Sequence, residues 1–271
     1  MPGTVAVHDL PSLSADCPGR RVRVWTPSSY SDTGSRRFPV LYLQDGQNLF
    51  VRPGPKAQGV RWQADTSAQK LITAKAIPPV ILVGVDNAGA GRADDYAPVV
   101  WKGKGGRAED YCNLLVTKIK PFVDRAYRTR PGPESALVGG SSLGGLFSLY
   151  AGLRRPDVFG GIMAMSPSVF WGGDHILKEV EQSPRNGTRI WIDVGRNETA
   201  TMRKGFRKLV RVLTSSGWSR SRVSELATLR AIEDPHGRHD EASWGRRFGR
   251  ALKFLLPVGR TKRTVVRRSP G

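Results

Sequence analysis

The stretch that decides the fold is Ala136-Leu-Val-Gly-Gly-Ser-Ser-Leu-Gly-Gly-Leu-Phe-Ser-Leu-Tyr150, an apolar run, a glycine- and serine-rich turn and an apolar helical pattern. The spacing Gly140-x-Ser142-x-Gly144 puts small residues two positions before and after one serine. A strand that turns sharply into a helix needs such neighbours, because larger side chains would collide across the turn. Ser141 does not fit, since a leucine stands two positions after it. The pattern predicts a nucleophile elbow at Ser142.

Apolar runs bounded by Gly, Pro and Asp alternate with helical patterns along most of the chain, as is typical of a mostly parallel sheet flanked by helices. Residues 21–26 alternate basic and apolar side chains, which predicts an antiparallel first strand. With the turn at Ser142, these patterns predict an α/β-hydrolase fold with helices on both faces of the sheet. Further strands are predicted at 38–43, 80–85, 135–138, 161–165, 189–194 and 226–232, and helices at 65–75, 109–125, 146–154, 203–213 and 242–256.

Two details of this assignment concern irregular segments. The glycine-rich residues 87–108 are expected to form a long loop. Pro121 is expected to kink the helix at 109–125 or to end it early, because proline lacks the N–H that a helix interior uses.

Length and charge set broad limits on the protein. The 271 residues suit one α/β domain, which we place at 1–257, and the basic residues 258–271 lack periodicity and are expected to be disordered. With 43 Lys and Arg against 23 Asp and Glu, the formal net charge is +20. Such a charge attracts anions, so an anionic ester is a candidate substrate. Nucleic acid is disfavoured as a partner, because no helix-turn-helix or zinc-finger pattern is present.

Cysteine usage and hydropathy bear on location. Cys17 and Cys112 are too few for a disulfide framework and have no metal-type spacing, and the sequence leaves their pairing open. No apolar run reaches the roughly 18 residues of a membrane span. The N-terminus has no basic segment followed by an apolar one. We therefore expect a cytoplasmic protein without a transmembrane segment, and we predict no metal or organic cofactor. The oligomeric state stays open.

A serine nucleophile needs a base that accepts its proton and an acid that orients the base. In this fold the chain order is serine, acid, histidine, which excludes His8 and His175. Both remaining histidines follow the last predicted strand. His239 is the favoured base because it directly precedes the last helix, whereas His236 follows a proline within the turn.

The acid is expected near the end of the strand at 189–194. Glu198 lies in the loop just after this strand and is the favoured candidate. Asp193 lies inside the strand, where the alternation of side chains can direct it elsewhere.

A family resemblance rests on several short stretches that are specific only in combination. They are VLYLQDGQNLF (40–50), PPVILVGVDN (78–87), GGSSLGGL (139–146), FGGIMAMSPS (159–168), DVGRNE (193–198) and HDEASW (239–244). From about residue 22 to residue 256 the chain resembles the α/β-hydrolase esterase family that includes enterochelin esterases, feruloyl esterases, esterase D-type thioesterases and mycolyltransferases.

The resemblance implies roles for individual residues. Ser142, Glu198 and His239 match the triad positions, and the backbone N–H groups of Leu143 and Gln47 match the oxyanion hole. Such donors stabilise the charge that develops on the carbonyl oxygen.

The resemblance also points to residues around the substrate. Arg92, Asp95 and Tyr96 match a segment that borders the site in relatives, and Trp171 is a candidate for lining the acyl pocket. A role in packing stays open for these side chains.

The implied activity is hydrolysis of a carboxylic ester through an acyl-enzyme on Ser142. Family members act on siderophore esters, aromatic acyl sugars, thioesters and lipid acyl groups, which leaves the substrate open. Acyl transfer to an alcohol uses the same residues and is the alternative. A basic binding module on a hydrolase fold is a third hypothesis, which the presence of all three triad candidates disfavours.

Overall fold

The computed structural model describes residues 2–11, 19–31, 33–51, 61–183, 187–220 and 228–258. Within them, the strands are β1 (Thr4–Leu10), β2 (Arg20–Thr26), β3 (Val40–Gln44), β4 (Ile81–Val85), β5 (Ala136–Ser141), β6 (Gly161–Met165), β7 (Arg189–Gly195) and β8 (Leu229–Asp234). They form one sheet in the order β1-β2-β4-β3-β5-β6-β7-β8. Pairing is antiparallel from β1 to β2 and from β2 to β4, and parallel across the rest.

Helices cover both faces of this sheet. They are α1 (Ala64–Thr73), α2 (Arg92–Tyr96), α3 (Ala108–Leu114), α4 (Lys120–Ala126), α5 (Leu143–Arg154), α6 (His175–Gln182), α7 (Ala200–Ser215) and α8 (Glu241–Leu255). Buried side chains of α1 and α8 form one apolar core with the sheet. Those of α2 to α7 form the core on the opposite face. The predicted mostly parallel sheet between two helical layers is therefore observed.

Strand β1 is an antiparallel strand that the sequence analysis did not predict. Among the described residues it pairs with β2 alone, and its side chains are half-buried or exposed. An edge strand of this kind carries a weak alternation, so its pattern is hard to recognise. The last strand begins at Leu229 rather than at the predicted 226, and residues 221–227 lie outside the described part of the chain.

The helical segment predicted at 109–125 contains a π-helical turn. Leu115–Ile119 joins α3 to α4, and Pro121 lies in the first turn of α4. A proline ring clashes with the carbonyl four residues earlier, and the wider π turn displaces that carbonyl. The helical path thus continues through Pro121 to Ala126, so the proline does not end it early. In the expected loop 87–108, the short helix α2 forms.

The carboxyl ends of the parallel strands lie at one edge of the sheet, and in open α/β sheets this edge carries the ligand site. Ser142, the turn after β3 and the loop after β7 all follow strands at this edge. In the described residues, we find no helix whose length and hydropathy would let it span a membrane. Cys112 is buried and makes no disulfide with a described residue, and Cys17 lies outside them.

Candidate active site

The turn from β5 to α5 holds Ser142 in a strained conformation, with φ 57° and ψ −121°. A Cβ on Gly140 would lie 2.7 Å from the backbone carbon and oxygen of Gly144. The Ser142 N–H donates to the Met165 carbonyl at 3.0 Å, and the Ser142 carbonyl accepts from the Leu146 N–H at 3.0 Å. Small neighbours and these backbone bonds place the serine at the start of a helix, with its side chain outside the core.

His239 lies between β8 and α8, directly beside Ser142. Its Nε2 is 3.0 Å from Ser142 Oγ, and its Nδ1 is 2.8 Å from Glu198 Oε2. The next residue, Asp240, caps α8 by accepting from the Ser243 N–H at 2.7 Å, which fixes the backbone at the histidine. The alternative His236 is exposed on the preceding turn, and its side chain has no contact with the triad candidates among the described interactions.

Glu198 lies in the loop between β7 and α7 with its side chain fully buried. Its Oε1 accepts from Ser166 Oγ at 2.6 Å and from the Gly195 N–H at 2.8 Å. Burial raises the pKa of this carboxyl, but the hydrogen bonds from His239, Ser166 and Gly195 outweigh burial and hold the pKa below its usual value. Glu198 is therefore an ionised partner for His239 at neutral pH.

Asp193, the alternative acid, makes no contact with His239 among the described interactions. Its carboxylate accepts from Arg247 Nη2 at 3.0 Å and from Trp191 Nε1 at 2.9 Å. Complete burial raises its pKa, and the Arg247 guanidinium opposes that shift. The structure therefore brings Ser142, His239 and Glu198 into one hydrogen-bonded row and leaves Asp193 outside it.

Two turns beside Ser142 carry the predicted oxyanion donors. Leu143 is the first residue of α5, so its N–H has no acceptor within the helix. Gln47 lies in a 3₁₀ turn directly after β3. This turn begins in the elbow's immediate vicinity, since a Cβ on Gly144 would lie 2.9 Å from Gln44 Cβ. The two backbone donors thus come from segments that pack against each other.

The turn after β3 is held by a cluster of donors around Asp45. Arg92 donates two hydrogen bonds to its carboxylate, from Nε at 2.7 Å and from Nη2 at 2.9 Å, and Asn87 Nδ2 donates a third at 2.6 Å. The Asp45 N–H donates to the Tyr96 hydroxyl at 3.1 Å. Tyr96 has no exposed surface, so the structure places it behind the turn and not along an open pocket.

The remaining two predicted lining residues also make internal contacts. Asp95 pairs with Arg20 at 2.6 Å. Trp171 is 9% exposed, packs edge-on against Trp101, and donates from Nε1 to the Val99 carbonyl at 2.8 Å. Of these four residues, Arg92 is the most exposed, with 29% of its side chain in contact with solvent.

Sequence reasoning missed three polar side chains near the triad candidates. Ser168 Oγ lies 3.4 Å from Ser142 Oγ. Ser166 and Arg247 are buried beneath Glu198. For Arg247 a signal existed, because this residue falls on the apolar stripe of α8 together with Trp244 and Ala251, where a charged side chain is unusual. In the part of the chain that the structure describes, no cluster of three or more His, Cys, Asp or Glu side chains could hold a metal ion.

Comparison with known proteins identifies the family. The sequence model described as "Putative esterase" matches residues 17–255. The chain belongs to this esterase family. The predicted resemblance is thereby confirmed.

Two named relatives are siderophore esterases. The iron(III) enterobactin esterase of Escherichia coli K12 is 38% identical over 192 residues, which are 67% of this chain and 43% of that protein. The ferri-bacillibactin esterase BesA of Bacillus subtilis is 30% identical over 161 residues, 53% of this chain and 52% of BesA. The chain thus spans about half the length of these relatives.

Solved structures agree on the fold. A BES protein from Bacillus cereus superposes with a TM-score of 0.75 at 18% identity, covering 94% of this chain and 95% of that one. An IroE-like serine hydrolase from Shewanella oneidensis also gives 0.75 at 18% identity, covering 93% and 80%. The predicted α/β-hydrolase fold is confirmed.

Proposed function

We propose that this esterase-family protein is a serine carboxylic-ester hydrolase that works through an acyl-enzyme on Ser142. The observation that carries the proposal is the position of the His239 ring, which bridges Ser142 Oγ at 3.0 Å and Glu198 Oε2 at 2.8 Å. Nucleophile, base and orienting acid within hydrogen-bond reach are what covalent catalysis by a serine requires.

In the first half of the reaction, Ser142 Oγ attacks the ester carbonyl while His239 Nε2 accepts the hydroxyl proton. Glu198 stabilises the imidazolium through Nδ1. The carbonyl π electrons move to oxygen, and the resulting oxyanion accepts hydrogen bonds from the Leu143 and Gln47 N–H groups. When the tetrahedral intermediate collapses, the C–O bond to the alcohol breaks, and His239 gives its proton to the departing alkoxide oxygen. An ester between Ser142 and the acyl group remains.

In the second half, water takes the place of the alcohol. His239 accepts a proton from the water as its oxygen attacks the acyl carbon, and the same two N–H groups bind the oxyanion. Collapse releases the carboxylic acid, and His239 returns the proton to Ser142 Oγ. Each turnover consumes one ester and one water and leaves the enzyme unchanged.

The substrate class follows from relatives and charge. The relatives named above are an iron(III) enterobactin esterase and a ferri-bacillibactin esterase, and another relative is an endo-1,4-beta-xylanase/feruloyl esterase of Xylanibacter ruminicola. The net charge of +20 supports a preference for esters that carry negative charge. We therefore propose an anionic or aromatic ester as the substrate.

The test compares Ser142→Ala with Ser141→Ala on short p-nitrophenyl esters and on aromatic esters. Ser142→Ala should lower kcat by about 10⁴–10⁶-fold, because the nucleophile is lost. Ser141 is a buried strand residue, and Ser141→Ala should keep most of the wild-type rate. Equal rates for wild type and Ser142→Ala would refute the proposal.

A further inference from the structure

A buried polar layer lies around Oε1 of Glu198, the carboxylate oxygen that does not contact His239. Arg247 is 2% exposed and reaches this layer from α8. Its Nη2 lies 3.0 Å from Asp193 Oδ1, 2.9 Å from Ser166 Oγ and 3.8 Å from Glu198 Oε1. Lys and Arg are almost never fully buried unless paired, so the position of this guanidinium calls for a physical reason.

The Ser166 hydroxyl has only one direction left for its proton. Its oxygen accepts from Arg247 Nη2 at 2.9 Å and from Trp244 Nε1 at 3.1 Å. A hydroxyl has two acceptor lone pairs and one donor proton. With both lone pairs engaged, the proton is committed to Glu198 Oε1, which lies 2.6 Å away. The guanidinium therefore orients a hydrogen bond that favours the ionised form of Glu198.

The charged groups that face this layer come from several elements. Asp193 lies on β7, Glu198 follows it, and Arg247 reaches in from α8. Arg203 of α7 donates to the Glu198 backbone carbonyl, and His239 contacts the outer carboxylate oxygen. Two buried carboxylates thus share one buried guanidinium, and Arg247 offsets the repulsion that Asp193 would otherwise exert on Glu198.

We propose that Arg247 is a positioning residue that keeps Glu198 ionised and oriented toward His239, by neutralising Asp193 and by directing the Ser166 hydroxyl. The proposal rests on the triad assigned above. It assigns a role in the reaction to three side chains, Asp193, Ser166 and Arg247, that do not touch the reacting atoms.

Removal of the guanidinium should change the pH profile in a defined direction. In Arg247→Met, Asp193 and Glu198 become neighbouring buried carboxylates without their shared cation, and such a pair holds a proton to higher pH. Protonated Glu198 cannot stabilise the imidazolium of His239. The acid limb of the pH profile, which is the pH range over which the labelling rate and kcat/KM fall as the solution becomes more acidic, should therefore move to higher pH by about one unit.

The experiment measures the rate at which a fluorophosphonate labels Ser142, as a function of pH, together with kcat/KM on a p-nitrophenyl ester. Labelling needs only the activated serine, so it reports on Arg247 even if carboxylic esters prove not to be substrates. The control is Arg250→Met on the same helix, because Arg250 is 55% exposed and lies 3.7 Å from Asp234. This control should leave the acid limb in place.

A charge-balanced double variant separates electrostatics from damage to the fold. Asp193→Asn combined with Arg247→Met removes one carboxylate charge and one guanidinium charge together, and the replacement of a whole buried pair is tolerated better than the loss of one partner. The acid limb of the double variant should return toward the wild-type position. If the single variant acts only by loosening the fold, the double variant will be no better than the single one, and the proposal is wrong.

Ser166→Ala supplies a second variant should Arg247→Met fail to fold. This variant keeps the Asp193–Arg247 pair and removes only the directed hydroxyl. We expect an upward shift of the acid limb with a lower kcat and an unchanged KM. An unmoved acid limb and an unchanged kcat in Ser166→Ala would overturn the proposal. If the wild-type protein is labelled normally but hydrolyses none of the esters, only the proposed function is contradicted.

Discussion

At the scale of single residues, the backbone conformation of Ser142 is strained and costs free energy. Its φ of 57° with ψ of −121° is a conformation that an L-residue rarely adopts, and such strain costs about 1–3 kcal/mol. The Ser142 carbonyl accepts two N–H groups, from Leu146 at 3.0 Å and from Ser168 at 3.1 Å. These bonds hold the strained turn in place, so the hydroxyl is presented to His239 without a conformational search.

Glu198→Gln tests the acid at the same scale. The amide is nearly isosteric, but it carries no charge to stabilise the imidazolium, and its NH₂ group can donate to Nδ1 and select the wrong tautomer of His239. We expect kcat to fall by about 10³–10⁴-fold with KM little changed. The control is Glu233→Gln, because Glu233 pairs with the exposed Arg207. A Glu198→Gln enzyme with the wild-type rate would contradict the assignment.

The same carboxyl makes stability depend on pH. Because hydrogen bonds hold the pKa of Glu198 below its usual value, its contribution to stability is fully present above the unfolded pKa of about 4.3. That contribution is lost as the pH falls through the lower, folded-state pKa. Glu198→Gln should therefore flatten the acid arm of a plot of Tm against pH.

The triad candidates could be predicted from their order along the chain. The buried residues that contact Glu198 could not, because their meeting depends on how the helices pack on the sheet. Ser142, Glu198 and His239 each follow a strand, so the order of strands in the sequence already places them at one edge of the sheet. Ser166 and Arg247 meet only because of how α8 lies across β6 and β7. No local pattern specifies that register, although the arginine on an apolar stripe indicated that something buried must pair with it.

At the scale of elements, the elbow depends on the close approach of β5 and α5. A Cβ on Gly140 would stand 2.7 Å from backbone atoms of Gly144, which cannot move without displacing the helix. Gly140→Ala should therefore destabilise the protein by about 1–3 kcal/mol and also lower kcat, because Ser142 moves with the turn. Thermal unfolding and ester turnover measure the two effects.

Gly91→Ala is the matched control for that substitution. Gly91 has an ordinary backbone conformation, and an added Cβ would meet only the Ala88 side chain at 3.4 Å. Its Tm and kcat should stay close to wild type. If both glycine variants behave alike, the tight strand–helix contact is not what maintains the elbow.

Elements also show where sequence patterns lose information. Strands flanked on both sides, such as β4 and β5, are fully buried and were predicted from their apolar runs. The edge strand β1 is fully buried on neither face, and its residue pattern did not predict a strand. Pro121 was expected to have its usual effect on a helix, but a π turn precedes it and accommodates the proline within the helical path.

At the scale of the whole molecule, positive charge is the dominant feature. The net charge of +20 is spread along the chain, and part of the basic face of α7 is neutralised locally, since Arg207 pairs with Glu233 and Lys208 with Asp174. The uncompensated remainder creates a field that extends into solvent. A field of this kind raises the rate of encounter with anionic ligands without changing the chemistry at Ser142.

The last prediction follows from screening of that field. Two esters with the same acyl group, one with a neutral and one with a carboxylated alcohol, should respond differently to salt. The Debye length falls from about 30 Å at 0.01 M salt to about 10 Å at 0.1 M, so kcat/KM for the anionic ester should drop several-fold over this range. The neutral ester should change little, and it serves as the internal control for general salt effects on the enzyme. An equal response of both esters would mean that the charge does not guide substrate, and its purpose would then have to be sought in binding an anionic surface.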